Sequence, residues 1–485
     1  MTCIASRRTE LLGPARSDSG QCERAQCIGA LAPVVVTVRC SRAMVPFEPN
    51  VSRDVYAQRR ARLAANLGDG ALVLYGGELR TRSNDTEFRF RPDSDFHYLT
   101  GLREPGAVMV LRAGAAPKFV LFVRARDRDA EIWAGRRVGP EGAMARYGAD
   151  AAHPLGELAE QLPKLLDGVA NVHVPLGRWR ALDQHVQRAI DHLRRRNRWG
   201  ETPPDALCDA RTTVGEDRMT KDPAAMASLR QAVEISTHAH LAAMGALRPG
   251  MFEYQIEALL EYEFRRRGAQ AAAYGSIVGG GDNATILHYV ENDDELRDGE
   301  LLLIDAGAEV DLFAADISRT LPIGGRFSPA QRDVYDIVLR ANTAGIAGAV
   351  VGGDIDSIHR TCLRVLCEGL ASLGLLAGDI DEALEKETYK RYYMHRTSHW
   401  LGADVHDAGH YTLGRTPRPL QPGFVLTVEP GLYIPADDEL APPELRGCGI
   451  RIEDDVLVCE QGPEVLTWRV PKTMDEIEAI MAAAR

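Results

Sequence analysis

The chain of 485 residues has no CxxC pair, and its nine cysteines are an odd number. That usage argues against a disulfide framework and for a reducing cytoplasm. No HExxH string occurs, so a single-zinc helix site is not expected. No GxGxxG follows a strand and opens a helix; "VGGGDNATI" (278–286) reads instead as a loop that brings backbone close to a site. The longest apolar runs, such as "APVVVTV" (32–38), fall well short of the roughly 20 residues that span a bilayer. There is no long acidic tail and no short-period repeat. The net charge of −12 is spread along the chain, which speaks against a nucleic-acid partner.

What is present is ordinary for a globular protein: 45% hydrophobic and 26% charged residues, enough for two to four domains by length. The first 43 residues hold four of the nine cysteines and six arginines but no lysine. We read 1–46 as an extension, either disordered or the product of a mis-assigned start, with Met44 as the fresh start. A late signal peptide and a transit peptide fit less well, because the apolar stretch is weak and Glu10, Asp18 and Glu23 intervene.

Strand and helix patterns then alternate: a helix over 52–67 capped by Ser52, strands at 70–77, 107–114 and 118–127, a helix at 156–169 and a strand at 171–177. This predicts an α/β domain over 47–215. The polar stretch 208–223 suggests a boundary, with Pro223 opening a long helix. A second helix follows at 251–269, and a last one closes the chain. The expected class is therefore α/β (α+β), with a second domain over 216–485.

The chemistry lies in that second domain. "ELLLIDAGAEVDLFAADISRTLPI" (300–323) reads as a hairpin with Asp305 in one strand and Asp316 in the other. Carboxylates about 5 Å apart across a hairpin do not both stay ionised without a cation. The plainer alternative is that backbone groups or Arg319 satisfy each. "MHRTSHWLGADVHDAGH" (394–410) carries four histidines, and "VLTVEPGLYI" and "GCGIRIEDDVLV" each put a glutamate, Glu429 and Glu453, into an apolar strand. Arg451 shares a face with Glu453. Asp305, Asp316, His399, Glu429 and Glu453 form a hard, oxygen-rich donor set, suited to two divalent ions such as Mn²⁺, Co²⁺ or Fe²⁺. Such a pair can polarise a carbonyl.

The strings "LHYVEND", "LLLIDAGAE…AADISRT", "SHWLGADVHD", "LTVEPGLYI" and "GIRIEDD" resemble the metal-binding segments of the Xaa-Pro aminopeptidases (aminopeptidase P) of bacterial type. "SNDTEFRFRPDSDFHYLTGLREPGAVMVL" resembles their amino-terminal domain, so the likeness runs from about 47 to 480. It implies a carboxy-terminal pita-bread metallopeptidase domain with two divalent ions, Mn²⁺ foremost and Co²⁺, Fe²⁺ or Zn²⁺ as alternatives. It implies that Asp305 chelates one ion, Asp316 and Glu453 bridge both, and His399 and Glu429 hold the other. A bridging hydroxide would attack the scissile carbonyl. Glu429 would shuttle the proton and His406 would stabilise the oxyanion. His288, His395 and Arg451 would line the proline pocket, with Arg451 supporting Asp305. The substrates would be peptides with penultimate proline, with no membrane partner, and the assembly a homodimer or homotetramer. Two departures stand out: Arg396 and Thr397 replace small or apolar residues, and His97 replaces a tryptophan. Prolidase, which cleaves only Xaa-Pro dipeptides, is the nearest rival, and a non-catalytic binding protein on the same fold is the remote one.

Overall fold

The side chain of Ser52 accepts a hydrogen bond from the amide of Asp54 at 3.3 Å, closing the amino end of the helix Arg53–Asn66 as expected. The structure, a computed structural model, describes residues 51–114 and 116–485. The expectations for 1–46 lie outside the described residues.

Six strands make the first sheet, in the spatial order Ala151–Pro154, Phe119–Val123, Val108–Arg112, Ala71–Tyr75, Asn171–Val174 and Ala206–Asp209. Its middle strands read as unbroken apolar runs because both faces are covered. Leu72, Leu74, Met109 and Leu111 enter one core, while Ala71, Val73, Val108 and Val110 enter the other. Successive side chains point to opposite faces, so one run feeds two cores. The strands at 151–154 and 206–209 lie at the two edges of the sheet.

The segment 208–223 is not a loose connection. Most of it is the helix Ala210–Met219, capped by Asp209. Asp222 then caps the long helix Pro223–Ala246 by accepting from Ala225 N at 2.8 Å. A third core cluster draws all its buried residues from Met219–Met481, whereas the first two draw theirs from Leu63–Val214.

In that third core, Leu301–Asp305 runs between Ile277–Gly280 and Ser318–Pro322, antiparallel to both. Asp305 faces Ser318, and Asp316 lies two residues before the strand rather than within it. Val425–Val428 pairs with Asp454–Leu457, and Gly431–Ile434 pairs with Cys448–Arg451. These two ladders are consecutive stretches of one ribbon, broken at Glu429–Pro430 on one side and Ile452–Glu453 on the other. Proline has no amide to give a ladder, so a break at Pro430 is expected. Asn342, fully buried on the helix Pro329–Ala347, reaches the break and donates to Val428 O at 3.0 Å and Ile452 O at 3.2 Å. Carbonyls freed by the break thus keep a partner. The break lets Glu429 and Glu453 leave the ladder. Among the described residues, no helix is long and apolar enough to cross a membrane.

Candidate metal centre and active site

One cavity of about 740 Å³ gathers all nine residues singled out above: His288, Asp305, Asp316, His395, His399, His406, Glu429, Arg451 and Glu453. They come from six separate stretches of chain, mostly at strand ends where a side chain can leave the sheet. Ligand atoms of Asp316, His399 and Glu453 all lie within 4.8 Å of one another. His399 Nε2 is 3.3 Å from Asp316 Oδ2 and 3.7 Å from Glu429 Oε1.

Several observations fit this cluster to divalent cations. His399 Nδ1 is 3.0 Å from Trp400 O, which can only accept. The proton therefore sits on Nδ1 in the neutral ring, and the Nε2 lone pair faces the carboxylates, as a metal ligand requires. Tyr274 OH lies 2.6 Å from both Asp305 Oδ1 and Asp316 Oδ1. One hydroxyl proton cannot serve two carboxylates, so the site is short of positive charge. The titration behaviour agrees. Burial, then neighbouring carboxylates, push Glu453 far above the usual range. Burial likewise raises Asp316, and raises Glu429 to about 7 against the pull of His399. Burial works against the His399 cation, but the Asp316 hydrogen bond and the Glu429 charge outweigh it and raise the imidazole to about 9. Carboxylates this crowded call for a cation.

A second set of groups holds these side chains in place. Arg451 Nη2 donates to Asp305 Oδ2 at 2.7 Å, and its Nε donates to Ser318 Oγ at 2.8 Å. Ser318 Oγ passes the chain on to Glu453 Oε2 at 2.9 Å. The same Arg451 donates to Tyr433 OH, whose oxygen lies 2.8 Å from His395 Nε2. Burial first, and then the Arg451 charge, lower His395 to about 3, so it is neutral. Arg319 does not satisfy Asp305 or Asp316. It is pinned to Asp454 and to backbone carbonyls beneath the site.

Sequence reasoning missed Tyr274, Ser318 and Tyr433, because an isolated hydroxyl in an ordinary string has no spacing to betray it. The departures are also placed. Thr397 is fully buried between His359 and Tyr393, at 2.8 and 2.7 Å. Arg396 lines the cavity and is paired with Asp356. His97 is buried in the helix Ser94–Thr100 against Tyr56 and Arg103, and is not part of the cavity wall.

Residues 227–460 match the profile of Metallopeptidase family M24, and residues 56–174 match that of the aminopeptidase P N-terminal domain. The Xaa-Pro aminopeptidase of Escherichia coli (strain K12) is 45% identical over 439 residues, covering 90% of this chain and 99% of the relative.

The chain belongs to the aminopeptidase P group of metallopeptidase family M24.

Other M24 relatives agree. The Xaa-Pro aminopeptidase of Haemophilus influenzae is 39% identical over 444 residues, 90% of this chain and 99% of the relative. The solved structure of Pseudomonas aeruginosa aminopeptidase PepP superposes with a TM-score of 0.88 at 46% identity, over 90% of this chain and 99% of that one. The fold is accordingly the expected one: an aminopeptidase P amino-terminal domain followed by a pita-bread domain. Divalent-metal use goes with the family and with the donor cluster.

Proposed function

We propose that this chain is an Xaa-Pro aminopeptidase that releases the first residue of peptides with proline second. The observation that carries the reading is the convergence of five metal-ligand side chains and four further polar groups in one cavity of an M24 protein. Asp305, Asp316, His399, Glu429 and Glu453 would hold two divalent ions, with Mn²⁺ our choice for a set rich in carboxylates. Such ions, when bound, polarise a carbonyl and make water nucleophilic at neutral pH.

The protein's own part follows from the substrate. An Xaa-Pro bond is a tertiary amide with no N–H, so a strand-like grip loses a donor there. His288, His395 and Arg451 line the pocket that takes the ring instead. Glu429 accepts the proton of the attacking water and delivers it to the departing proline nitrogen. His406 donates to the oxygen on which negative charge develops. A solved complex of Escherichia coli aminopeptidase P with the inhibitor Pro-Leu supports a proline-accepting site in this fold.

The divisions 47–215 and 216–485 are part of the proposal, supported by the separation of the cores. So is a homodimer or homotetramer assembled through the amino-terminal domain. The helix Arg128–Ala134 buries none of its side chains and leaves Trp133 90% exposed beside Ile132, an apolar pair of the kind that marks a contact surface. The five described cysteines are all free, which suits a cytoplasmic location.

The test is hydrolysis of Arg-Pro-Pro and of Gly-Pro by Mn²⁺-loaded protein. Cleavage of the tripeptide with poor cleavage of the dipeptide is expected. Cleavage of the dipeptide alone would make the chain a prolidase, and two bound metals with neither peptide cut would overturn the substrate class. No bound metal would revive a binding role.

Arg396 gives a finer prediction. Its guanidinium is tied to Asp356 at the cavity wall, and both are largely exposed. Arg396→Ala is expected to change KM for a proline-second pentapeptide about threefold, the scale of an exposed ion pair. The change for the tripeptide should be smaller. Equal changes would remove Arg396 from any discrimination by peptide length.

A further inference from the structure

His406 lies in a segment, 401–410, that forms neither helix nor strand. Among the described residues, its imidazole takes no hydrogen bond; it stands edge-on to His399 with ring centres 4.4 Å apart. The position of the ring therefore follows from the backbone on either side of it.

That backbone is held by the helix Ala210–Met219, by Lys221 just after it, and by the amino-terminal domain. Asp404 and Asp407 flank His406, and both carboxylates converge on one guanidinium, that of Arg218. Arg218 Nη2 donates to Asp404 Oδ2 at 2.7 Å and to Asp407 Oδ1, while Nη1 donates to Asp95 Oδ1 at 2.6 Å. The Arg218 side chain is 3% exposed. Lys221 Nζ donates to the other oxygen of Asp407 at 2.9 Å. From the amino-terminal part, Ser94 Oγ donates to Asp404 Oδ1 at 2.7 Å and Arg91 Nη2 to Ala403 O at 2.9 Å. Two glycines allow the close fit: a methyl at Gly402 would collide with Asp407 Oδ2, and one at Gly409 with Met219 Sδ.

Pinning a loop to its neighbour needs only one of these carboxylates. Here the carboxylates before and after His406 are drawn to one nitrogen, Arg218 Nη2, which sets the width of the 404–407 turn, while Asp95 holds Nη1 of the same plane. A guanidinium suits this because its donors keep a fixed geometry. A misplacement of about 1 Å in a group that acts on a developing oxyanion can cost about a hundredfold in rate.

We propose that Arg218, assisted by Lys221, is a positioning residue for His406, and that Arg91, Ser94 and Asp95 make the amino-terminal domain part of the same device. This rests on the role given to His406 above. The amino-terminal domain then serves the chemistry as well as assembly.

The test is a double-mutant cycle on metal-loaded protein with Arg-Pro-Pro. Arg218→Lys keeps the charge and loses the fork. It is expected to lower kcat about tenfold or more, with KM changed less than about threefold and metal content and melting temperature near those of the parent. Placed on His406→Ala, it should cause no further loss, because the group it positions is gone. Independent, additive losses would overturn the positioning role while leaving that of His406 intact. An unchanged kcat in Arg218→Lys would also overturn it. Full activity in His406→Ala would remove the role of His406, and the proposal with it. Should Arg218→Lys fail to fold, Asp404→Asn carries the same cycle: Asp404 is 39% exposed, and its loss leaves Arg218 two carboxylates. A smaller fall in kcat, again absent on His406→Ala, is expected, and additivity there overturns the proposal equally.

Discussion

Asp316→Ala is expected to lower kcat/KM for Arg-Pro-Pro by more than about a thousandfold and to reduce the metal content of the purified protein. Partners that merely orient a metal ligand cost about 10–100-fold when removed. Asp316 stands inside that layer, with an oxygen 3.3 Å from His399 Nε2 and within 4.8 Å of ligand atoms of Glu453. Loss of stability would not explain the effect. Burial raises the Asp316 carboxyl, so its ionised form is disfavoured in the metal-free folded chain. Removing it relieves repulsion with Asp305, Glu429 and Glu453, which offsets the lost bond to His399. The metal-free variant should therefore melt no lower than the metal-free parent, while the parent alone gains from added Mn²⁺. A ligand at a thousand times its Kd adds about 4 kcal/mol to the folded state. Parental activity, or an unchanged metal-to-protein ratio, would remove Asp316 from the site. A lower melting temperature of the metal-free variant would make the carboxylate structural instead.

The site was more legible in the sequence than the fold around it, for a physical reason. A carboxylate within an apolar string is costly, so Asp305, Asp316, Glu429 and Glu453 stand out one at a time, and the histidine-rich stretch adds His399. The resemblance then gave each a role. What the strings hid was how each of these side chains leaves its strand. The ribbon carrying Glu429 and Glu453 is broken, and the break is kept by Asn342, more than 80 residues upstream of Glu429. Asp316 lies before its strand, not in it, because the chain first makes the small turn at Asp311 and Leu312, both with positive φ. The central strands at 71–75, 108–112 and 119–123 announced themselves, since burial on both faces leaves only apolar residues. The strands at 151–154 and 206–209 did not, because edge strands are half-buried or exposed and show no clean pattern. The helix Ala210–Met219 was read as a polar boundary for a similar reason. One of its buried side chains is Arg218, and a fully paired arginine is indistinguishable in sequence from a solvated one.

The largest effect on stability is expected from Arg319→Ala. Arg319 is wholly buried, and all five of its N–H donors are used. Nε reaches Pro471 O at 3.0 Å, Nη1 reaches Ser318 O and Glu453 O at 2.9 and 2.6 Å, and Nη2 reaches Asp454 Oδ1 and Val470 O at 2.8 and 2.9 Å. Truncation takes a donor from four carbonyls, of which Ser318 O alone keeps another, the amide of Glu453 at 3.1 Å, and leaves Asp454, itself wholly buried, with only Lys472 as a charged partner. Breaking one side of such a buried pair costs about 3–5 kcal/mol, which should appear as a clear fall in the urea midpoint. Arg319→Lys, which keeps the charge but loses the fork, should fall between the two. The pH dependence adds a check. Burial alone would raise the Asp454 carboxyl, but Arg319 and Lys472 reverse this and hold it well below the usual range. A depressed carboxyl contributes stability above its unfolded value of about 4 and loses it as the pH falls further. The gap between parent and variant should therefore be full at neutral pH and narrow below about pH 4. A gap independent of pH would mean that the carbonyls, not Asp454, carry the effect. No gap at all would mean that the ribbon beneath Glu453 is held without Arg319. In the expected case, any Arg319→Ala protein that still folds should also lose activity, because the carbonyl of Glu453 is one of those that lose their donor.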